Sequence, residues 1–309
     1  MPQKFLLTIT VILSICLSSK GDVITLHNEA IQAGISTKTG HTVFIAALGQ
    51  TNLLYEREDD LGGEAFHPLQ QVQLWFLTGP GSLQPDTTFW DSPWKILEQS
   101  EDKLVLESGI SPLLSIKVTR NYHLIAGKPA LEVKTLIERV APNPYPVHVW
   151  SVTQLARPRY VLLDVVEMTG PHGLPWKELS RPGRLQTYMR QPLEGAVRFA
   201  PKSPMDNPKI GTLGNWVAAV IRPDLALVKS VPIQPGGCYP DGTSMQAYAS
   251  EDFTEIETLS TNQHLQPGEI VSSRSVWQLV RAPEGTTPED WIQHIDTAVD
   301  NLASAVALP

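Results

Sequence analysis

Hydrophobic and polar residues alternate along most of this chain in short runs, the period of a β-strand with one buried face. Such runs occupy residues 23–26, 30–36, 42–48, 72–77, 103–107, 114–122, 130–139, 147–155, 216–221, 225–231, 254–259 and 273–280. Turn residues separate them, as in Thr39-Gly40, Ala126-Gly-Lys-Pro129, Asn143-Pro-Tyr-Pro146 and Gln266-Pro-Gly268. Glycine and proline supply the backbone reversals that antiparallel neighbours need. So many short strands, with no helices alternating between them, predict an all-β fold: a large antiparallel sandwich or barrel.

Three segments depart from that pattern. At the C-terminal end the period changes to that of a short helix. Thr287 can cap it, Pro288 suits its first turn, and Glu289 and Asp290 favour its positive end. Trp291, Ile295, Ala298, Val299 and Leu302 then form one apolar stripe, expected to pack on the sandwich. Residues 168–208 are rich in Pro, Gly and Arg with weak periodicity, and read as a long insertion over one edge or mouth of the sheets. Residues 1–21 read as an export signal, with Lys4 before the apolar run 5–17 and Ser19-Lys20-Gly21 as a small-x-small cleavage point. That run is too short to span a bilayer. The remainder, 22–309, is expected to form a single domain without a transmembrane segment, periplasmic or secreted. A lipid on Cys16 would anchor it, but Ile15 stands where a small residue is expected before such a cysteine.

Composition narrows the chemistry. With 42% hydrophobic and 18% charged residues the chain can bury a sizeable core. Its formal charge of −8, without a cluster of Lys or Arg, gives a nucleic-acid backbone nothing to follow. Cys238 is the one thiol outside the signal; it sits in the turn Gly236-Gly-Cys-Tyr-Pro240 and reads as a small packed side chain rather than a nucleophile. No Gly-x-Ser-x-Gly, His-Glu-x-x-His, phosphate-binding Gly-x-x-x-x-Gly-Lys or Cys-x-x-Cys occurs, and the eight histidines are scattered. Neither a transition metal nor another cofactor is expected.

Two strands carry groups with chemistry. In the run after Phe253, alternation places Phe253, Glu255, Glu257 and Leu259 on one face and Thr254, Ile256 and Thr258 on the other. Two carboxylates so spaced lie about 7 Å apart at Cα. If the face lines a cleft, repulsion and desolvation raise one pKa, as proton transfer requires; if it meets bulk water, the pair is only a solvated edge. In Val147–Leu155 the same alternation groups His148, Trp150, Val152 and Gln154. A titratable ring, a flat aromatic and an amide suit a sugar, by stacking on its C–H face and bonding its hydroxyls. They equally suit a Trp filling a gap between sheets and a His satisfied by a carbonyl.

The order of motifs adds a resemblance. The segment Asn28-Glu-Ala-Ile-Gln-Ala-Gly-Ile-Ser-Thr-Lys-Thr-Gly40 with Asn52-Leu-Leu-Tyr55 is similar to the first hairpin of galactose mutarotase-like proteins. Leu61-Gly-Gly63, His67-Pro68, Asp91-Ser-Pro-Trp94, Trp150-Ser-Val-Thr-Gln154, Tyr239-Pro-Asp-Gly242, Glu255-Ile-Glu-Thr-Leu-Ser260 and Leu265-Gln-Pro-Gly-Glu269 follow in order. Together they resemble the domain-of-unknown-function 4380 branch of that superfamily, over nearly all of 23–279. The resemblance implies a β-supersandwich whose concave sheet holds a monosaccharide or a glycan end. It also implies a base, in a Leu-Glu-Thr context that here is Ile256-Glu257-Thr258, so Glu257 is the counterpart. The family's histidine, which donates to the ring oxygen, falls at Trp150. His148 is then the expected acid, with His67 or His41 as substitutes. Glu255, Gln154, Trp150, Tyr248, Lys229 and His67 are the expected sugar contacts, although Lys229 reads equally as a solvated strand lysine.

Two classes of function follow: a cofactor-independent aldose 1-epimerase-like isomerase, or a glycan-binding module that kept the cleft without the chemistry. A cell-envelope scaffold is a third.

Overall fold

The computed structural model describes residues 23–56, 63–67, 86–90, 92–180, 189–201 and 207–306. The signal at 1–21, with Cys16, and the strand expected at 72–77 lie outside these residues.

Strands β1 (Val23–His27), β2 (Ile31–Ser36) and β3 (Thr42–Ala47) form a small antiparallel sheet. The expected turn at Thr39-Gly40 joins β2 to β3. Gly40 has a φ of +62°, and a Cβ there would meet the Trp94 indole at 2.7 Å, so only glycine fits. Next come β4 (Glu64–His67), the single-turn helix α1 (Thr87–Trp90), β5 (Lys95–Gln99), β6 (Lys103–Ile110), β7 (Ile116–Leu124) and β8 (Ala130–Arg139). They are followed by β9 (Trp150–Leu155), β10 (Tyr160–Asp164), β11 (Lys177–Glu178), β12 (Arg190–Leu193) and β13 (Ala196–Phe199). The remaining strands are β14 (Lys209–Thr212), β15 (Trp216–Arg222), β16 (Leu225–Ser230), β17 (Met245–Ala249), β18 (Thr254–Leu259) and β19 (Ile270–Arg281), before helix α2 (Pro288–Val306).

Two large antiparallel sheets result. One has ten strands in the order β12-β13-β10-β15-β16-β19-β8-β7-β6-β5, and the other six in the order β11-β14-β17-β18-β9-β4. They stack face to face, β10, β15 and β16 against β14, β17 and β18. The core between them joins Leu163, Val217, Ala219 and Leu227 of the larger sheet to Ile210, Met245, Ala247 and Ile256 of the smaller. The all-β sandwich with a C-terminal helix is therefore the architecture observed.

Strand burial follows what each sheet face meets. Along β7, buried and part-buried residues alternate without a break, because only one face is covered. In β15 and β16 the first five residues of each are all buried, because a second layer covers their outer face. That layer is α2, whose Trp291, Ile292 and Ile295 pack on Leu162, Ala218, Val220, Ala226 and Val228. Thr287 caps it as expected, accepting the Asp290 amide at 3.2 Å. No helix among the described residues is long and apolar enough to cross a membrane.

The segment 168–208 differs from the expected loop. Its described parts supply β11 at the edge of the small sheet and β12 and β13 at the edge of the large one. Edge strands of two to four residues are too short to show a period, and Pro192 is tolerated in β12 because an edge strand has one unpaired side.

A lysine is buried between the two large sheets. Lys229 on β16 is fully buried, and its Nζ donates to Ser151 O (3.0 Å), Ser151 Oγ (2.9 Å) and Thr153 Oγ1 (2.8 Å) on β9. The ammonium also lies 4.6 Å from the centroid of the Trp277 ring. Lys229→Ala removes these contacts and opens a cavity, so it should lower the unfolding free energy by about 2–5 kcal/mol. A lower urea midpoint at constant m value checks this.

Candidate functional site

The pairing register assembles one face of the six-stranded sheet. Glu255 on β18 stands opposite Gln154 on β9 and Tyr248 on β17, and Tyr248 in turn opposite Lys209 on β14. One step along, Glu257 stands opposite Val152 and Gln246. One further, Leu259 stands opposite Trp150, which is itself paired with His67 of β4. Directly opposed residues share a face, so this row of polar groups turns away from the core that Ile256, Ala247 and Met245 fill. The His67 side chain lies outside the described part of the structure.

Glu257 is the centre of this face and is fully buried. Its Oε2 accepts hydrogen bonds from Trp150 Nε1 at 2.6 Å and from Lys209 Nζ at 2.8 Å. Charge-assisted bonds of that length are among the stronger ones a protein makes. The Lys209 ammonium also lies 5.2 Å from the Trp150 ring centroid. The second oxygen of Glu257, Oε1, is buried and has no hydrogen-bond donor among the described residues. Gln246 beside it donates to Thr243 Oγ1 at 2.8 Å, and its own Oε1 is likewise buried and unpaired.

Glu255 accepts from Gln154 Nε2 at 2.9 Å. Burial, then the charge of Glu257, push its pKa up to about 7, against the pull of the Gln154 bond and the Lys209 charge. Tyr248 is raised as well, by burial first and then by both carboxylates, which places it within electrostatic reach of the pair. An aromatic row closes this end, with Phe253 5.5 Å from Tyr55 and 6.3 Å from Tyr248 between ring centroids.

His148 lies just before β9 and is fully buried. Burial pushes its pKa down to about 4, although Asn262 and the Asp241 charge act the other way. The ring is therefore neutral near pH 7, and neither nitrogen meets a partner in good geometry. Asp241 belongs to the Tyr239-Pro-Asp-Gly turn, tied to β11 by the bond from Lys177 Nζ to the Asp241 carbonyl at 2.9 Å.

The structure thus brings Glu257, Glu255, Trp150, Gln154 and Tyr248 together on one face. His148 is not in this group, its ring lying near Asn262 and Asp241, and Lys229, expected to touch hydroxyls, lies behind β9, between the sheets. Its neighbours Ser151 and Thr153 alternate with Trp150 and Val152, so they point to the opposite side. His41 stands in the β2–β3 turn, where its carbonyl accepts the Ser36 amide at 2.9 Å. Lys209 and Gln246 were missed. Lys209 opens a four-residue strand after Pro208, and nothing in its neighbourhood shows that it reaches Glu257. Among the described residues no cluster of three or more His, Cys, Asp or Glu could hold a metal ion.

The raised Glu255 carboxyl has a consequence for stability. The folded state binds this proton more tightly than the unfolded chain, so the contribution is fully present below about pH 4.5 and lost as pH rises to about 7. Glu255→Gln should therefore stabilise the protein above pH 7, by on the order of 1–3 kcal/mol, and do little at pH 4. Urea denaturation at the two pH values measures the difference.

No family model matches the sequence, and no curated protein matches it. Solved structures do. A candidate aldose 1-epimerase from Escherichia coli K12 aligns over 84% of this chain and 99% of its own, at 14% identity and a TM-score of 0.60. A galactose mutarotase-like protein from Lactobacillus casei aligns over 84% of this chain and 100% of its own, at 10% identity and a TM-score of 0.58. A galactose mutarotase related enzyme from Lactobacillus acidophilus covers 85% and 98%, at 9% identity and a TM-score of 0.56. The chain has the galactose mutarotase-like fold, the β-supersandwich shared with aldose 1-epimerase homologues.

Proposed function

We propose that this chain is an exported carbohydrate-binding protein of the aldose mutarotase or epimerase type. It takes a monosaccharide or a glycan end on the Glu255–Glu257 face and moves a proton at the anomeric centre. One observation carries this reading: a fully buried carboxylate with one oxygen fixed by two donors and the other without a fixed N–H donor among the described residues. A buried acceptor without a partner costs about 1–3 kcal/mol, so in the free protein Glu257 Oε1 leans on the neighbouring Glu255 carboxyl, and a ligand hydroxyl that reaches it takes over as donor. An anomeric hydroxyl is such a donor, and Glu257 accepts its proton as base. The Lys209 ammonium offsets the charge while the carboxylate waits.

Gln154, Glu255 and Tyr248 offer amide, carboxyl and phenol groups to the neighbouring hydroxyls. Trp150 presents its edge to Glu257 and thereby positions the base, in addition to the ring face it offers. His148 takes part only as a neutral ring. The chemistry needs no cofactor. Export rests on the sequence of residues 1–21, and the domain-of-unknown-function 4380 branch rests on the order of motifs.

A non-catalytic glycan-binding module is the second reading, favoured by Trp150 at the place of the family's histidine. Polarimetry over a panel of aldoses separates the two. The enzyme reading predicts mutarotation faster than buffer, and a loss of about 10²–10⁴ in Glu257→Gln. A wild type no faster than buffer on every sugar, yet binding one by calorimetry, establishes the module instead.

A further inference from the structure

Ring opening needs a second group that gives a proton to the ring oxygen, and the family's histidine is absent at Trp150. The geometry points to Glu255 as that group: Glu255 and Glu257 form a carboxyl pair that holds one proton between them, with Glu255 the acid and Glu257 the base. This assignment rests on the proposed anomeric chemistry and names its missing acid.

Several observations converge on the pair. Both side chains leave β18 on the same face, two residues apart, so neither can turn away without breaking the register with β9 and β17. Both donors to Glu257 go to Oε2, which leaves Oε1 as a buried acceptor. Gln154 supplies Glu255 Oε1 with one N–H, and a proton on the Glu255 carboxyl supplies Glu257 with the donor it lacks. The elevation of Glu255 to about 7 includes that carboxyl–carboxyl hydrogen bond among its causes, after burial and the Glu257 charge. Two carboxyls this close, facing a single ammonium, cannot both ionise at little cost. The groups that face the pair are Lys209 from β14, Tyr248 and Gln246 from β17, and Trp150 and Gln154 from β9. Lys177 of β11 is turned to the Asp241 carbonyl instead. His148 is a weaker candidate, since burial holds its ring neutral and a neutral imidazole is a poor proton donor.

The step balances. Glu257 removes the proton of the anomeric hydroxyl, and that O–H pair becomes the second bond of a C=O group. The bond from C1 to the ring oxygen breaks, its electron pair stays on that oxygen, and the proton of Glu255 completes the new hydroxyl. The open aldehyde rotates about C1–C2. Closure then runs the same transfers backwards on the other carbonyl face, which returns the proton to Glu255. Nothing is oxidised or reduced. The pair carries one proton at every stage, so the charge opposite Lys209 never changes while bonds break.

The test compares wild type with Glu255→Gln, a near-isosteric change expected to fold. Polarimetric rates across pH and the carboxyl ¹³C resonances of glutamate-labelled protein are measured on both. The acid must be protonated, so wild-type kcat/KM should fall as pH rises through about 7, and one carboxyl should titrate over the same range without any sugar present. Glu255→Gln should lose about 10²-fold or more in kcat with KM little changed, and should lose both the alkaline limb and that resonance. An active wild type whose kcat and alkaline limb survive Glu255→Gln overturns the Glu255 assignment and leaves Glu257 as base. So does a wild type whose carboxyls all titrate in the ordinary range near 4. A wild type without activity on any aldose overturns the anomeric chemistry itself, and with it this assignment.

Discussion

A fully buried carboxylate on an inner β-strand is the constraint around which this molecule is organised. An unpaired ionised group in such a place costs several kcal/mol, which few small domains could absorb. Glu257 is compensated from two directions, by the Trp150 indole from β9 on one side and by the Lys209 ammonium from β14 on the other. Both depend on strand register. A slip of one residue in β18 would send Glu257 and Glu255 into the apolar core and bring Ile256 to the outer face. The site and the pairing of β14, β17, β18 and β9 are therefore one specification.

The same strand is fixed from behind. Trp150 and Val152 of β9 face the carboxyl pair, whereas Ser151 and Thr153 receive the Lys229 ammonium that rises from the ten-stranded sheet. One lysine thus holds the front of the small sheet through Glu257, and a second holds its back through β9. The larger sheet can anchor this arrangement because α2 covers its outer face, burying β15 and β16 on both sides. Preorganisation of this kind keeps the carboxyl pair in place, since the surroundings are too well tied to relax around it.

Much of this was legible in the sequence where one face of a strand is wet. Residues 130–139 carry the alternation of a half-buried strand, and the structure begins and ends β8 at those same positions; 254–259 shows polar–apolar alternation as well and matches β18, although both faces of β18 are covered. The C-terminal stripe from Trp291 to Leu302 was equally readable, because it has a cap and a helical period. Short strands were not: β11, β12 and β14 hold too few residues to establish a period. The pairing of Glu255 with Glu257 followed from alternation alone. What each carboxyl touches did not, because Lys209 and Gln246 arrive from strands whose order in the sheet is not written in local pattern. Lys229 shows the same limit. A polar residue in an apolar run signals something to satisfy, but which sheet lies opposite decides whether that is a ligand or a neighbouring strand.

The central claim is that the face bearing Glu255 and Glu257 receives a sugar. Crystals soaked in a mixture of monosaccharides test it most directly. The account predicts a bound ring on this face, its anomeric hydroxyl within hydrogen-bond reach of Glu257 Oε1. A face filled by the protein's own packed side chains contradicts it. So does a sugar found only elsewhere, as in the groove between α2 and the large sheet lined by Asp164, Trp216, Arg274 and Asp296.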